Sequence, residues 1–165
     1  MFSSKKTVQK TSWFSWTYRI LAIFIFIGAI WLFKNGFGGP LLWPRTLAIG
    51  LLADVVTMSA LILSIWARIT LGRNWSGNVV LKENHELIMS GPYAYVRHPI
   101  YSSLILFVLG IVIYYGRLGG IIFLVLFIAG AWFKAYKEEK LLTSHFGEKY
   151  LAYKKMVKGL IPWIL

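Results

Sequence analysis

Cysteine is absent from this chain of 165 residues, which excludes disulfides, thiolate metal ligands and a cysteine nucleophile. Charge is scarce and one-sided: 15% of residues are charged, and six Asp and Glu face 18 Lys and Arg, for a formal net charge of +12. An average soluble domain carries about a quarter charged residues. There is no His-Glu-x-x-His or other helical metal spacing, so His85, Glu86 and His98 are not expected to hold a metal. Gly36, Gly38 and Gly39 neither follow a strand nor open a helix, which excludes a nucleotide fingerprint there. Internal repeats and low-complexity segments are missing too.

What is present is apolar bulk: 58% of the residues are hydrophobic and the mean hydropathy is +0.63. It falls in four blocks, at about 16–33, 46–69, 100–115 and 118–136. A helical membrane span needs about 20 residues, with a range of about 17–25. The first, second and fourth blocks meet that length. The third is short, and only Gly116-Arg117 separates it from the fourth, so the two are expected to form a tight helical hairpin. No small-residue cleavage site follows the first block, which is expected to stay as an anchor rather than leave as a signal peptide. The expected fold is all-α: one domain over 1–165, a membrane bundle of four spans, a loop at 70–99 and a C-terminal amphipathic interfacial helix at 137–158.

Basic residues set the orientation. With four spans, both termini and the 70–99 loop share one side, which would carry 15 of the 18 Lys and Arg, leaving Lys34, Arg45 and Arg117 opposite. Cytoplasmic loops of membrane proteins are enriched in Lys and Arg, so both ends are expected in the cytoplasm, at the plasma or inner membrane in a bacterial cell. This distribution fits a chain oriented in lipid better than one that binds nucleic acid. In the tail, Leu142, Phe146, Tyr150, Tyr153 and Val157 form a single apolar stripe at helical spacing, with lysines on the other faces. Glu138, one turn before Leu142, is expected to point inward with that stripe.

Two polar clusters stand beside the apolar blocks. The first is Gly91-Pro92-Tyr93-Ala94-Tyr95-Val96-Arg97-His98-Pro99-Ile100-Tyr101. Pro99 suits the first position of a helix and pushes His98 out of the α region, so His98 is expected to cap the third helix. Free N–H groups at such a helix start, with Arg97 adding a cation, suit a carboxylate or phosphate. Simple anchoring of Arg97 and His98 at the headgroups is the competing reading. The second cluster is Glu138-Glu139, amid lysines. Either these glutamates pair with neighbours such as Lys134 one turn away, or one receives a ligand's ammonium group. A ligand bearing both an α-carboxylate and an α-ammonium would join the two clusters. Arg97, His98 and Glu139 are the candidate catalytic residues. Asp54, inside the second span, is expected to hydrogen-bond another helix.

The residues His85-Glu86-Leu87-Ile88, Gly91-Pro92-Tyr93 and Val96-Arg97-His98-Pro99-Ile100-Tyr101, followed by Glu138-Glu139, Leu142, Phe146-Gly147, Tyr150, Tyr153 and Pro162, resemble the signature of the isoprenylcysteine carboxyl methyltransferase and phospholipid methyltransferase superfamily. The resemblance covers about 71–162. It implies an integral membrane enzyme that uses S-adenosylmethionine without a Rossmann domain. It further implies that His85, Glu86, Leu87, Ile88, Tyr93, His98, Pro99, Ile100 and Tyr101 line the cofactor site and that Glu138 holds the cofactor's ammonium. Lys134 takes the place where prenylcysteine enzymes are expected to carry a substrate-binding arginine, and it lacks arginine's planar fork. Ser103 stands where the family often has glycine. The activity so implied is methyl transfer to a lipid-like acceptor drawn from the bilayer, foremost an isoprenylcysteine-type carboxylate. Phosphatidylethanolamine N-methylation, a non-enzymatic membrane scaffold and an NADPH-dependent membrane reductase are the alternatives.

Overall fold

The computed structural model describes residues 38–72 and 86–160, and within them every regular element is helical. The first apolar block, His85 and Pro162 lie outside the described residues, as do the links they would make. The helices are α1 (Leu47–Leu71), α2 (Pro99–Tyr115), α3 (Leu118–Phe146) and α4 (Glu148–Met156), with a 3-10 turn at Gly91–Ala94. Among the described residues, extended pairing is limited to two isolated bridges, Leu41 with Arg117 and Val96 with Lys158.

Helix α1 starts where Thr46 caps it, its hydroxyl accepting from the Ile49 amide at 3.3 Å. It ends at Gly72, whose positive φ of 51° lets its N–H turn back to the Arg68 and Ile69 carbonyls. Its buried residues are Ala53, Ala60 and Ala67, a small-residue seam repeating every seventh position. Helix α2 answers with buried Ser103 and Gly110. A Cβ on Gly110 would stand 2.3 Å from Thr57 Oγ1 and 3.2 Å from the Ala53 carbonyl, so the two backbones meet where side chains are smallest. The large apolar residues of α1, among them Leu51, Val55, Met58, Ile62, Ile65 and Ile69, are exposed. Helices α1 and α3, of 25 and 29 residues, are long and apolar enough to cross a membrane. Little of either is buried inside the protein, unlike the core helix of a soluble domain. Asp54 is exposed.

Two expectations are refined. The third and fourth apolar blocks are joined by Gly116 and Arg117 alone, yet α2 rests chiefly on α1 and only lightly on α3. Their turn is instead bound by the Gly/Pro connection before α1: Gly119 N–H donates to the Gly38 carbonyl (2.7 Å) and Leu42 N–H to that of Gly116 (2.7 Å). Trp43 Nε1 reaches the Ile113 carbonyl at 2.8 Å. The second refinement is in the tail. The expected single helix at 137–158 is two pieces, because α3 continues unbroken through Phe146 and stops at Gly147 (φ 54°) before α4 begins. Nothing between 137 and 146 breaks a helix, and glycine is the residue that adopts this backbone without a Cβ penalty. The apolar stripe hid the break, since its periodicity carries on through it.

Tyr150 and Tyr153 of that stripe are buried within the protein, so this face packs inward and not on headgroups. Beyond α4 the chain runs back along the entry to α2. Arg97 N–H donates to the Lys158 carbonyl (2.8 Å) and His98 N–H to that of Gly159 (3.0 Å). Ser102 Oγ donates to the Leu160 carbonyl. Residues 157–160 thus form a strap across the start of α2.

Candidate active site

The strap, the 3-10 turn, the N-terminus of α2 and the end of α3 enclose one cluster of charged side chains. Pro99 occupies the first position of α2, and His98 precedes it as the N-cap with φ −125° and ψ 61°. The His98 imidazole makes no capping bond and is buried, 6% exposed. It lies between the two glutamates, with Nε2 3.2 Å from Glu139 Oε1 and Nδ1 3.8 Å from Glu138 Oε2. Sequence reading expects these two clusters to share a site, and the structure brings them together.

The glutamates face different surroundings. Glu139 Oε1 accepts from Arg97 Nε (2.9 Å) and Nη2 (2.6 Å), and Oε2 pairs with Lys154 Nζ at 2.6 Å. The remaining arginine nitrogen, Nη1, donates to the carbonyls of Lys154 (3.3 Å) and Val157. A buried carboxylate is costly unless paired and hydrogen-bonded, and here Arg97, Lys154 and His98 supply the pairing. Arg97 therefore ties α3 to the strap through one guanidinium. Glu138 keeps its side chain 33% exposed and accepts from Tyr101 Oη at 2.9 Å. The inward residue of the pair is thus Glu139, where sequence reading points Glu138 inward. The Tyr101 ring stacks with His98 at 5.6 Å between centroids, and Lys134 Nζ lies 5.3 Å from the centre of the same ring.

Three tyrosines surround the cluster. Tyr93 and Tyr150 are buried, and that burial, reinforced by nearby glutamate charge, pushes their phenols well above the ordinary value. Burial pushes Tyr153 up to about 12. All three remain hydroxyl donors at neutral pH. Tyr153 Oη donates to the Tyr93 carbonyl at 2.5 Å, which clips α4 onto the 3-10 turn. Tyr150 Oη is buried and has no hydrogen-bond partner among the described residues.

Of the other expected residues, Glu86 is exposed while Leu87 and Ile88 are half-buried on the approach to the 3-10 turn. Pro99 is buried, and Ile100 and Tyr101 are half-buried at the start of α2. Lys154 went unrecognised in the sequence. It is one lysine among Lys149, Lys155 and Lys158, and only the turn at Gly147 decides which of them returns to Glu139. Tyr150 and Tyr153 did carry a signal, their place in the apolar stripe.

Comparison with known proteins places the chain in a family. The profile of the isoprenylcysteine carboxyl methyltransferase (ICMT) family matches residues 51–144. The chain is 36% identical over 104 residues to the protein-S-isoprenylcysteine O-methyltransferase of Schizosaccharomyces pombe, covering 59% of this chain and 43% of that one. It is 35% identical over 60 residues to the uncharacterized protein YpbQ of Bacillus subtilis, covering 36% of each. The chain thus spans less than half the length of these curated relatives. The solved structure of a eukaryotic intramembrane Ras methyltransferase, ICMT, superposes with a TM-score of 0.62 over 95% of this chain and 55% of its own, at 24% identity, a likeness of fold. The match at 51–144 takes in most of α1, all of α2 and most of α3 with both glutamates, and the chain belongs to the isoprenylcysteine carboxyl methyltransferase family.

Proposed function

We propose that the chain is an S-adenosylmethionine-dependent methyltransferase that methylates the carboxylate of an isoprenylcysteine-type acceptor held in the membrane. The observation that carries this reading is the convergence of His98, Tyr101 and Glu138 at the mouth of α2. The residues fit the amino-acid end of such a cofactor. Glu138 is a part-exposed carboxylate that offers charge to an ammonium, and the positive end of α2 favours a carboxylate beside it. His85, Glu86, Leu87, Ile88 and Tyr93 are assigned to the remainder of that site by family resemblance. When bound, S-adenosylmethionine supplies an electrophilic methyl group.

The chain's own contribution is placement. Holding donor and acceptor in line turns a bimolecular reaction into an effectively intramolecular one, worth about 7–11 kcal/mol in well-oriented cases. The strap and α4 bury His98, Arg97 and Glu139, and Tyr101 fixes the Glu138 carboxylate. Lys134, exposed beside Tyr101, is assigned to the acceptor's carboxylate as a single-point cation. Arg97 and Glu139 are assigned a positioning role, because their polar atoms already bind each other, Lys154 and the strap. A carboxylate acceptor is ionised at neutral pH and needs no general base. Phosphatidylethanolamine would have to lose a proton, and Glu139, faced by three basic groups, is ill-suited to take one. The membrane reading completes the proposal: a multi-pass chain with both termini cytoplasmic, the polar cofactor arriving from the cytoplasm and the acceptor from the bilayer.

Two measurements test it. Detergent-purified protein should be heat-stabilised by S-adenosylmethionine and by its demethylated product, with that gain lost in His98→Ala and Glu138→Ala; stabilisation by NADPH alone refutes the assignment. Membranes incubated with methyl-labelled cofactor should yield a base-labile lipid label. A base-stable label would transfer the reading to nitrogen methylation.

A further inference from the structure

Helix α4 has a second face that the site does not use. Its inward face carries Tyr150 and Tyr153, and the side chain of Lys154 turns to Glu139. The outward face is apolar with a basic surplus: Met156 is 74% exposed and Leu151 is exposed, beside exposed Lys149, Lys155 and, just past the helix, Lys158, with Glu148 the one exposed acidic residue among them. The level of this face relative to a membrane can be read from α3. Lys137 Nζ stands 4.4 Å from the Phe133 ring centre and Lys140 Nζ 4.7 Å from that of Tyr136, each one turn below its lysine and each ring exposed. An exposed aromatic with a lysine one turn beyond it is the arrangement of the hydrocarbon–headgroup boundary, where the ring stays in the interface and the ammonium extends to water. Glu139 lies beside Lys140 in the chain, and Lys154 Nζ is 2.6 Å from Glu139. Helix α4 is therefore held at the headgroup plane.

We propose that the outward face of α4 docks on anionic lipid headgroups, with Leu151 and Met156 inserted at the interface and Lys149, Lys155 and Lys158 on lipid phosphates. Charge complementarity selects this occupant. A cluster of lysines at the surface of a membrane binds acidic lipid, and each contributes about a fivefold gain in partition. The apolar pair between them suits a lipid surface better than an acidic peptide. Because the opposite face of the same short helix clips Tyr93 and Glu139, the charge of the leaflet would bear on how firmly the site is covered. The docking itself does not rest on the methyl-transfer reading.

The chain contains no cysteine, so Met156→Cys provides a single site for an environment-sensitive fluorophore on the full chain. Reconstituted in phosphatidylcholine vesicles containing phosphatidylglycerol, the probe should emit further to the blue than in phosphatidylcholine alone, and high salt should reverse the shift. Combining Lys149→Gln, Lys155→Gln and Lys158→Gln should weaken docking about a hundredfold and abolish the shift, whereas the three Lys→Arg changes should retain it. Equal emission in both vesicles overturns the proposal. So does a shift that appears only when a soluble acidic peptide is added, since that would make the face a protein contact. Retention of the shift in the Lys→Gln variant overturns it as well.

Discussion

Removing the Arg97 guanidinium should detach the C-terminal strap before it affects any chemistry. In Arg97→Ala, Glu139 loses both bonds to its Oε1, and the carbonyls of Lys154 and Val157 lose theirs. Breaking a buried ion pair by deleting one partner costs about 3–5 kcal/mol. Lys154 remains on Oε2, but its side chain is 45% exposed, so it offsets only part of the loss, and a cost of about 3 kcal/mol is expected. Glu139→Ala should cost a similar amount by leaving Arg97 with carbonyl partners alone. If both truncations break one shared interaction, the double variant should cost about 4 kcal/mol rather than the additive value of about 6, a coupling of about 2 kcal/mol. The assay is unfolding of detergent-solubilised protein by added SDS, followed by tryptophan fluorescence. Costs that add to within about 0.5 kcal/mol would show that the pair does not act as a unit. Glu139→Gln supplies the contrasting test: if it abolished turnover while leaving the unfolding midpoint unchanged, Glu139 would be a reacting group and the positioning role would fail.

Gly110→Ala should destabilise the α1–α2 contact by about 1–3 kcal/mol through overpacking, because its Cβ would lie 2.3 Å from Thr57 Oγ1; adding Thr57→Ala should recover part of the loss in the same unfolding assay. Gly147→Ala meets no steric neighbour within 4 Å but must adopt φ 54°, so a cost of about 1–3 kcal/mol is expected, seen as faster proteolysis of the tail and not as a shift of α1–α2 unfolding. Tyr153→Phe removes the bond to the Tyr93 carbonyl and should cost about 1–2 kcal/mol, with faster amide exchange over 91–94 as the local readout.

The sequence announced the apolar helices because their signal is additive: long runs of Leu, Ile, Val and Phe admit few other readings. It also announced that His98 and the glutamates belong together, since a histidine before a proline at one helix mouth and a carboxylate pair at the end of another helix offer complementary charge. Three features stayed hidden for separate physical reasons. The break at Gly147 was masked because hydrophobic periodicity continues across a change of direction. The choice of Lys154 over its neighbours depends on that direction, so local sequence cannot make it. The preference of α2 for α1 over α3 rests on alanine, serine and glycine, whose small side chains contribute closeness and little hydropathy.

The adjacency of Glu138 and Glu139 then acquires a reason. Successive residues on a helix point about 100° apart, so a pair of glutamates at one level presents two carboxylates to two environments. Glu139 is turned into the ring of Arg97, His98 and Lys154, while Glu138 stays part-exposed with Tyr101. His98 touches both, with Nε2 on one and Nδ1 toward the other. On the proposed function, a latch and a binding carboxylate share one imidazole between them. Substitution should separate the two proposed roles: Glu138→Gln should leave the unfolding midpoint near that of the parent and remove stabilisation by S-adenosylmethionine, whereas Arg97→Ala should lower the midpoint in the presence and absence of cofactor alike. If Glu138→Gln unfolded the protein as readily as Arg97→Ala, the two carboxylates would be one structural network, and the division between latch and binding group would be wrong.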